Sequence, residues 1–311
     1  SDAGNTVDCG DQGPRGKHGR CGSFLNLRRT RIIPVLFLVS RGIDAAAPSS
    51  LDAMLTVISP AKTLDYETPA RIRKATSPDF LERAEELILT LQKRSPDDIR
   101  ELMGVSQAIA ELTHRRVMSW QRDFRRADAR QSILAFKGDV YTGLDAGSLN
   151  SRDLEFAQKH LRILSGLYGL LRPLDLMQPY RLEMGTRLQV NGADNLYQFW
   201  GSDITDAINT QLGASRSRVL INLASNEYFK SVQPRQLDAE IITPVFKDLK
   251  NGRYKVLSFF AKRARGMMAR HIIEQRLRTP EGLKTFSAEG YRYNEEQSSA
   301  DSWVFTRDQA A

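Results

Sequence analysis

The 311-residue chain contains only two cysteines, and their position limits what a thiol can do. Cys9 and Cys21 lie near the start of the chain in a Gly-rich tract, and no cysteine follows them. The rest of the chain therefore cannot hold a disulfide framework, an iron–sulfur cluster or a cysteine-ligated zinc site. A thiol peroxidase or a thiol redox switch is excluded there as well, because each needs a reactive thiolate.

Several other signals are also missing. No run of about 18 apolar residues is present, so we expect no segment to span a membrane. The chain has no P-loop, no Gly-x-Gly-x-x-Gly after a strand and no Gly-x-Ser-x-Gly. Di-iron bundles need paired Glu-x-x-His motifs, whereas only Glu111 to His114 has this spacing. The sequence therefore predicts neither a metal site nor a cofactor.

The composition is that of a soluble globular protein with a moderate excess of basic residues. Hydrophobic residues make up 41% and charged residues 26% of the chain. Lys plus Arg number 45 against 37 Asp plus Glu, which gives a formal net charge of +8. This charge is compatible with nucleic acid or a small anion as partner, although many ordinary proteins share it.

The first 53 residues differ in composition from the rest. Residues 1–23 are rich in Gly and poor in large apolar residues, so this tract cannot bury enough surface to offset its conformational entropy. The basic and apolar segments that follow imitate a signal peptide, but Pro34 interrupts the apolar run. We predict that residues 1–53 are a disordered or non-native extension. An export signal and a native tail are the alternatives.

Residues 54–311 are predicted to form one compact domain of alternating strands and helices. Buried strands are expected at Leu55–Ile58, 132–136 and Val219–Leu223, and Tyr180–Val190 alternates in the manner of a strand. The fold class is α/β (mixed α+β), with a mixed sheet surrounded by helices.

Helix starts are indicated by capping residues. Ser95, followed by Pro96, is expected to open one helix, and another should run from about residue 150 to 164. A further helix is expected at 261–277, after a hairpin around Asn251-Gly252.

Polar side chains are concentrated just after the predicted buried strands and in the segment 179–185. In α/β sheets, ligands bind beyond the carboxyl ends of strands, so these side chains are expected to share one pocket. Lysines suit an anionic ligand there, and carboxylates suit acid–base chemistry. The alternative is that the charges are solvated or paired with one another. The candidate pocket residues are Lys62, Lys137, Asp139, Arg181, Glu183, Asn222, Glu227 and Lys230.

Two further features indicate DNA. The segment 164–169 fits a hairpin of the type hydrophobic-x-Gly-hydrophobic-x-Gly, in which glycines let backbone N–H groups approach a phosphate. Residues 250–273 contain seven Lys or Arg and no acidic residue. The alternative for the hairpin is a tight turn, and the alternative for the basic residues is compensation by nearby carboxylates or by solvent. The candidate DNA contacts are Gly166, Gly169, Arg172, Lys262, Arg263 and Arg265.

Long contiguous motifs in 54–311 resemble the YaaA peroxide-stress-resistance family of bacteria. They are Ile58–Tyr66, Leu134–Leu144, Leu164–Gly185, Tyr197–Gly201, Asn222–Val232 and Ser258–Arg270. The resemblance implies a cytoplasmic protein that lowers free iron and limits damage during peroxide stress. It also implies a DNA-associated, mixed α/β fold with a helix-hairpin-helix element. It implies no particular reaction, and it does not cover residues 1–53.

Two hypotheses follow for function. The first is an oxidative-stress protein that limits free-iron-driven damage and contacts the DNA phosphate backbone, independently of sequence, through the hairpin and the basic helix. The second is an enzyme that acts on a phosphorylated or other anionic small molecule in the polar pocket. A monomer without membrane contact is expected in either case, and whether the protein is an enzyme stays open at this point.

Overall fold

The computed structural model describes residues 54–69, 72–216 and 218–308. The predicted extension, 1–53, lies outside the described residues. The strands are β1 Leu55–Ile58, β2 Thr63–Leu64, β3 Arg130–Gln131, β4 Phe136–Lys137, β5 Leu161–Ser165, β6 Gly169–Leu171, β7 Leu176–Met177, β8 Val219–Leu223, β9 Glu240–Lys250, β10 Arg253–Lys255, β11 Arg292–Tyr293 and β12 Ser302–Arg307. The helices are α1 Leu81–Gln92, α2 Pro96–Met103, α3 Gln107–Ser119, α4 Ser132–Ala135, α5 Asp139–Leu144, α6 Ser151–His160, α7 Leu196–Trp200, α8 Asp203–Ser215, α9 Asn226–Phe229 and α10 Ser258–Glu274.

The main sheet is mixed, with a parallel centre and antiparallel margins. Its strand order is β11-β12-β9-β8-β1-β5-β6, and β10 pairs with β9. Strand β1 lies between β5 and β8 and is parallel to both, with Ile58 opposite Ile163 and Leu223. The pairs β5–β6, β9–β10 and β11–β12 are antiparallel. The predicted mixed α/β class is confirmed.

Local sequence explains several of these elements. All four residues of β1 are buried, as expected for a strand covered on both faces. Helix α2 begins at a capping box, because the Ser95 side chain accepts from the Asp98 backbone and the Asp98 side chain accepts from the Ser95 backbone. Asn150 and Asp153 cap α6 in the same way. These ends match the predicted helix starts.

Three predicted elements differ from the structure. The helix that starts near residue 150 ends at His160, and 161–165 form strand β5 instead of continuing the helix. Residues 132–135 form the short helix α4 rather than a strand. Residues 180–190 carry an alternating burial pattern without ladder pairing except one bridge, Val190 to Ala193. An apolar or alternating run alone does not distinguish these conformations.

The segment 164–169 is not a helix-hairpin-helix. It runs from β5 into β6, which pair antiparallel with Ser165 opposite Gly169. A Cβ at Gly166 would lie 2.3 Å from the backbone oxygen of Leu182, and Gly169 has a positive φ of 64°. Both glycines are buried, so their amides are not presented to a phosphate. Tight turning and close packing require these glycines, as the tight-turn alternative predicts.

Helices α5 and α10 pack backbone to backbone beside the sheet. A Cβ at Gly143 would lie 2.1 Å from the carbonyl oxygen of Arg263. One at Gly266 would lie 1.8 Å from the carbonyl oxygen of Val140. Only glycine allows this approach, which fixes the start of α5 relative to the first turns of α10.

Candidate functional site

A cavity of about 310 Å³ opens beyond the carboxyl ends of β1 and β8, and we call it the strand-end cavity. Three groups of residues line it: the loop after β1, the start of α5 with one face of α10, and the segments around Glu183 and α9. The lining residues are Ser59, Pro60, Ala61, Lys62, Thr63, Lys137, Gly138, Asp139, Val140, Glu183, Ser225, Glu227, Tyr228, Lys262 and Arg265.

Five of the eight predicted pocket residues line this cavity. They come from four separate stretches of the chain and are Lys62, Lys137, Asp139, Glu183 and Glu227. Pairing of β2 with β4 places Thr63 opposite Lys137, which brings the loop after β1 against the start of α5. The structure thus brings these five side chains to one cavity, although only Lys62 and Glu227 follow strands of the main sheet.

The other three predicted pocket residues lie outside the lining. Arg181 reaches the site indirectly, because its Nη2 lies 3.2 Å from Glu183 Oε1. Asn222 is buried within β8, where its Oδ1 accepts a hydrogen bond from the Ala224 backbone N–H at 3.0 Å. The Lys230 ammonium lies 4.8 Å from the ring centre of Tyr197. Asn222 therefore stabilises the strand end, while Lys230 covers an aromatic face.

The candidate DNA residues do not form one surface. The Arg172 guanidinium lies 2.9 Å from Asp79 and 3.1 Å from Asp175, and Arg263 lies 2.6 Å from Glu289. Both arginines are thus paired with carboxylates, and for Arg263 this is the alternative given above for the basic cluster. Lys262 and Arg265, in contrast, line the strand-end cavity.

Glu183 is held between two cations at the wall of the cavity. Its Oε2 lies 2.7 Å from Lys62 Nζ, and its Oε1 lies 3.2 Å from Arg181 Nη2. The Glu183 side chain is 26% exposed, so the paired charges are only partly screened by solvent. These contacts hold the carboxylate in one orientation.

Unlike Lys62, three of the cations that line the cavity lack a carboxylate partner among the described residues. In the described ranges, no Asp or Glu oxygen lies within 4.0 Å of Lys137, Lys262 or Arg265. Partial burial lowers the pKa of Arg265, since desolvation disfavours the charged form. An anion placed between these groups would compensate their charge. The cavity is thus cationic on the side formed by α5 and α10.

The surroundings of Glu227 differ from those of Glu183. Its Oε1 accepts a hydrogen bond from the Gly185 backbone N–H at 3.0 Å, and its side chain is otherwise open to solvent. Tyr197 donates its hydroxyl proton to the Glu227 carbonyl oxygen at 2.9 Å, which fixes the first turn of α9. A carboxylate with free lone pairs therefore lies at the cavity edge.

Two hydroxyl groups and a tyrosine complete the site, and the pocket prediction omits all three. The Ser225 backbone N–H donates to Ser59 Oγ at 2.8 Å, and Ser59 Oγ donates to Ser225 Oγ at 3.3 Å. Tyr141 donates to the Ser59 carbonyl oxygen at 3.1 Å. Burial raises the pKa of Tyr228, so its hydroxyl stays protonated. Ser59 directly follows β1 and Ser225 lies two residues after the end of β8. This position after a buried strand is the signal that could have identified them.

Among the residues that the structure describes, no group of three or more His, Cys, Asp or Glu side chains is arranged to hold a metal ion. No helix in the same ranges has the length and apolar character needed to cross a membrane.

The fold and this cavity define an α/β protein with a cavity lined by charged residues at its strand ends. The family model described as peroxide stress protein YaaA matches residues 54–297. The chain belongs to this family, as the resemblance of its motifs predicts. A UPF0246 protein of Ralstonia nicotianae is 57% identical over 82% of this chain and 99% of its own length. UPF0246 proteins of Cellvibrio japonicus and Shewanella sediminis are each 56% identical over 82% of this chain, and they are covered over 99% and 100% of their lengths.

Proposed function

We propose that this peroxide stress protein is an enzyme that binds a phosphorylated small molecule in the strand-end cavity. The observation that carries the proposal is the convergence of Lys137, Lys262 and Arg265 on one side of the cavity, without carboxylate partners among the described residues. Phosphate oxygens accept strong, charge-assisted hydrogen bonds from such groups. Arg265 is partly buried, so its attraction for an anion is less weakened by water than on an open surface, whereas Lys137 and Lys262 are exposed at the cavity mouth.

Asp139 is the proposed acid–base group. No Lys or Arg nitrogen in the described part of the chain lies within 4.0 Å of its carboxylate. Glu183, by contrast, already forms ion pairs with Lys62 and Arg181. Asp139 lines the same cavity and lies two residues from Lys137, within reach of a ligand bound there. General acid–base catalysis requires this proximity.

The route by which the protein would limit free-iron-driven damage is then indirect. The excess of positive charge in the cavity repels a metal cation and attracts an anion. The proposed contribution to peroxide resistance is therefore a reaction of the anionic ligand, and free iron is affected only as a consequence of that reaction.

The first test is calorimetric titration of the full chain with inorganic phosphate and with pyrophosphate. Lys137→Ala is expected to weaken binding by about tenfold or more, since a hydrogen bond to a charged group contributes about 1.5–3 kcal/mol. Lys93→Ala removes an exposed lysine from the C-terminus of α1 and is the matched control, with unchanged affinity expected. Absence of binding to the unaltered protein, or equal losses in both variants, would overturn the proposal.

DNA phosphate is the second candidate ligand. It is favoured by Lys262 and Arg265 in the cavity wall and by the exposed Lys250, Arg253 and Lys255 shortly before α10. The Lys262→Glu, Arg265→Glu variant is expected to weaken binding to duplex DNA. It should also reduce the slope of log affinity against log salt, by roughly 0.9 for each phosphate that is no longer neutralised. An unchanged slope would remove these residues from any DNA surface.

A further inference from the structure

The residues that line the strand-end cavity form two groups of different chemistry. The cationic group, on β4 and α10, contains Lys137, Lys262 and Arg265. Asp139, at the start of α5, also lines the cavity. The acceptor group, on the segment before Gly185 and on α9, contains Glu183 and Glu227. The loop after β1 lies between the groups, because Thr63 pairs with Lys137 while Lys62 forms an ion pair with Glu183.

From this arrangement we infer that the ligand is a nucleoside monophosphate unit, with its phosphate on the cationic group and its ribose hydroxyls on the acceptor group. The inference rests on the proposed function, since it assumes that the cavity binds phosphate. It adds the chemical class of the ligand and the direction in which the ligand lies.

The acceptor group favours neutral hydrogen-bond donors over a second cation. Glu183 is already compensated by Lys62 and Arg181, at 2.7 and 3.2 Å. Glu227 receives one backbone N–H, from Gly185, and keeps further lone pairs free. Carboxylates that accept hydrogen bonds from the hydroxyls of a ribose are a recurrent solution in nucleotide sites of α/β proteins. A bare phosphate ion would leave these acceptors unused.

Part of the remaining lining surface is apolar or aromatic. Pro60, Ala61, Val140 and the buried Tyr228 ring contribute to it. A sugar phosphate offers little apolar surface for such a lining, whereas a nucleobase offers a planar one. Ligand pockets typically enclose about 300–1,000 Å³. The cavity, at about 310 Å³, is at the lower end of that range and therefore suits one nucleotide unit rather than a dinucleotide.

The test compares calorimetric affinities of the full chain for inorganic phosphate, ribose 5-phosphate and adenosine 5′-monophosphate. We expect the ribose and then the base to strengthen binding in turn, with adenosine 5′-monophosphate bound at least tenfold more tightly than ribose 5-phosphate. A nucleotide that binds no tighter than inorganic phosphate would overturn the nucleotide inference, while phosphate binding itself would still support the proposed function. Absence of binding by all three ligands would overturn both.

Glu227→Ala tests the direction of the ligand. This variant is expected to lose about tenfold in affinity for the nucleotide while its affinity for inorganic phosphate stays within twofold. Glu281→Ala, at an exposed glutamate of the segment Pro280–Thr285, is the matched control and should change neither affinity. Equal losses for nucleotide and phosphate in Glu227→Ala would contradict the assignment of the ribose to this side.

A DNA strand offers no ribose hydroxyls to the acceptor group, because its sugars lack the 2′-hydroxyl and its internal 3′-oxygens are esterified. A single-stranded decathymidylate is therefore expected not to displace the bound nucleotide. Displacement by decathymidylate would contradict the assignment of the ribose hydroxyls to Glu183 and Glu227.

Discussion

At the scale of single residues, Arg307 and Asp248 form an ion pair that is almost completely enclosed. Their side chains are 3% and 0% exposed, and Arg307 Nε donates to Asp248 Oδ1 at 2.7 Å. Tyr291 donates to the same carboxylate at 3.0 Å, and Glu289 joins Arg307 to Arg263 of α10. The network connects β9 and β12 to the helix that carries Lys262 and Arg265.

Removing one member of this pair is expected to be costly. Arg307→Met should lower the free energy of unfolding by about 3–5 kcal/mol, because it leaves the Asp248 charge buried without its partner. The double variant Asp248→Leu, Arg307→Met should be less destabilised than the sum of the two single variants. Urea unfolding measures the stability of Arg307→Met, Asp248→Leu and the double variant. Additive losses of stability would contradict energetic coupling between Asp248 and Arg307.

Asp65 gives stability a defined pH dependence. Hydrogen bonds from the backbone and the side chain of Thr68 lower the pKa of Asp65 from its usual value near 3.8 to about 2. A lowered pKa in the folded state means that the unfolded chain takes up the proton first. The contribution of Asp65 is therefore fully present above about pH 4 and is lost as the pH falls toward 2.

Asp65→Asn should accordingly destabilise the protein at pH 7, and its difference from the unaltered protein should shrink as the pH falls below 4. Urea midpoints measured at pH 7, 5, 4 and 3 would show this. Glu67→Gln, which changes an exposed neighbouring carboxylate, is the control. A difference that stays constant from pH 7 to pH 3 would contradict the role of the ionised Asp65.

At the scale of elements, the close packing of α5 on α10 sets the geometry of the cavity. Gly143 and Gly266 let the two backbones touch, so the start of α5, with Lys137 and Asp139, stays next to Lys262 and Arg265. The sequence between 262 and 266 looks like a basic surface cluster. Its position against α5 directs two of its three cations into a cavity.

Two alanine substitutions separate this packing effect from the general effect of glycine in a helix. In Gly266→Ala the new Cβ would lie 1.8 Å from the Val140 carbonyl oxygen, so α10 must shift. We expect a loss of about 1–3 kcal/mol in stability and weaker phosphate binding. In Gly213→Ala of α8 the Cβ meets nothing within 4 Å. A gain of about 0.5–1 kcal/mol with unchanged phosphate binding is expected. Similar changes in both variants would contradict the packing argument.

At the scale of the whole molecule, one sheet joins segments that are far apart in the sequence. Strand β1 pairs with β5, about 100 residues later, and with β8, about 160 residues later. Both sides of the sheet contribute to one hydrophobic core. The strand-end cavity depends on this sheet, because its loops follow β1 and β8.

Ile58 is a suitable position at which to test whether the sheet unfolds as one unit, since its side chain is fully buried in the central strand. Ile58→Ala is expected to cost about 2–5 kcal/mol, because less apolar surface is buried and an empty space remains in the core. The urea midpoints from far-ultraviolet circular dichroism and from tryptophan fluorescence should shift by the same amount. Separate midpoints would show that the β9–β12 side unfolds independently of β1.

Sequence patterns alone were enough to predict the buried strands β1 and β8, the capped helix starts at Ser95 and Asn150, and the grouping of charged residues after strands. These are local properties: apolar runs, capping side chains and the position of polar residues relative to a strand. They correctly placed Lys62 and Glu227 beyond β1 and β8. Lys137 and Asp139 were grouped with them through a strand at 132–136 that the structure replaces by α4, and Glu183 follows no strand of the main sheet.

Which basic residues are available to a ligand depends on the folded arrangement. Arg172 and Arg263 meet carboxylates at Asp79 and Glu289, whereas Lys262 and Arg265 face the cavity. The fold also makes 164–169 a buried turn, because the neighbours of Gly166 and Gly169 include Leu182 and Trp200. The physical reason is the same in each case. Ion pairing and close backbone packing depend on partners brought near by folding, and the local pattern around a residue does not specify them.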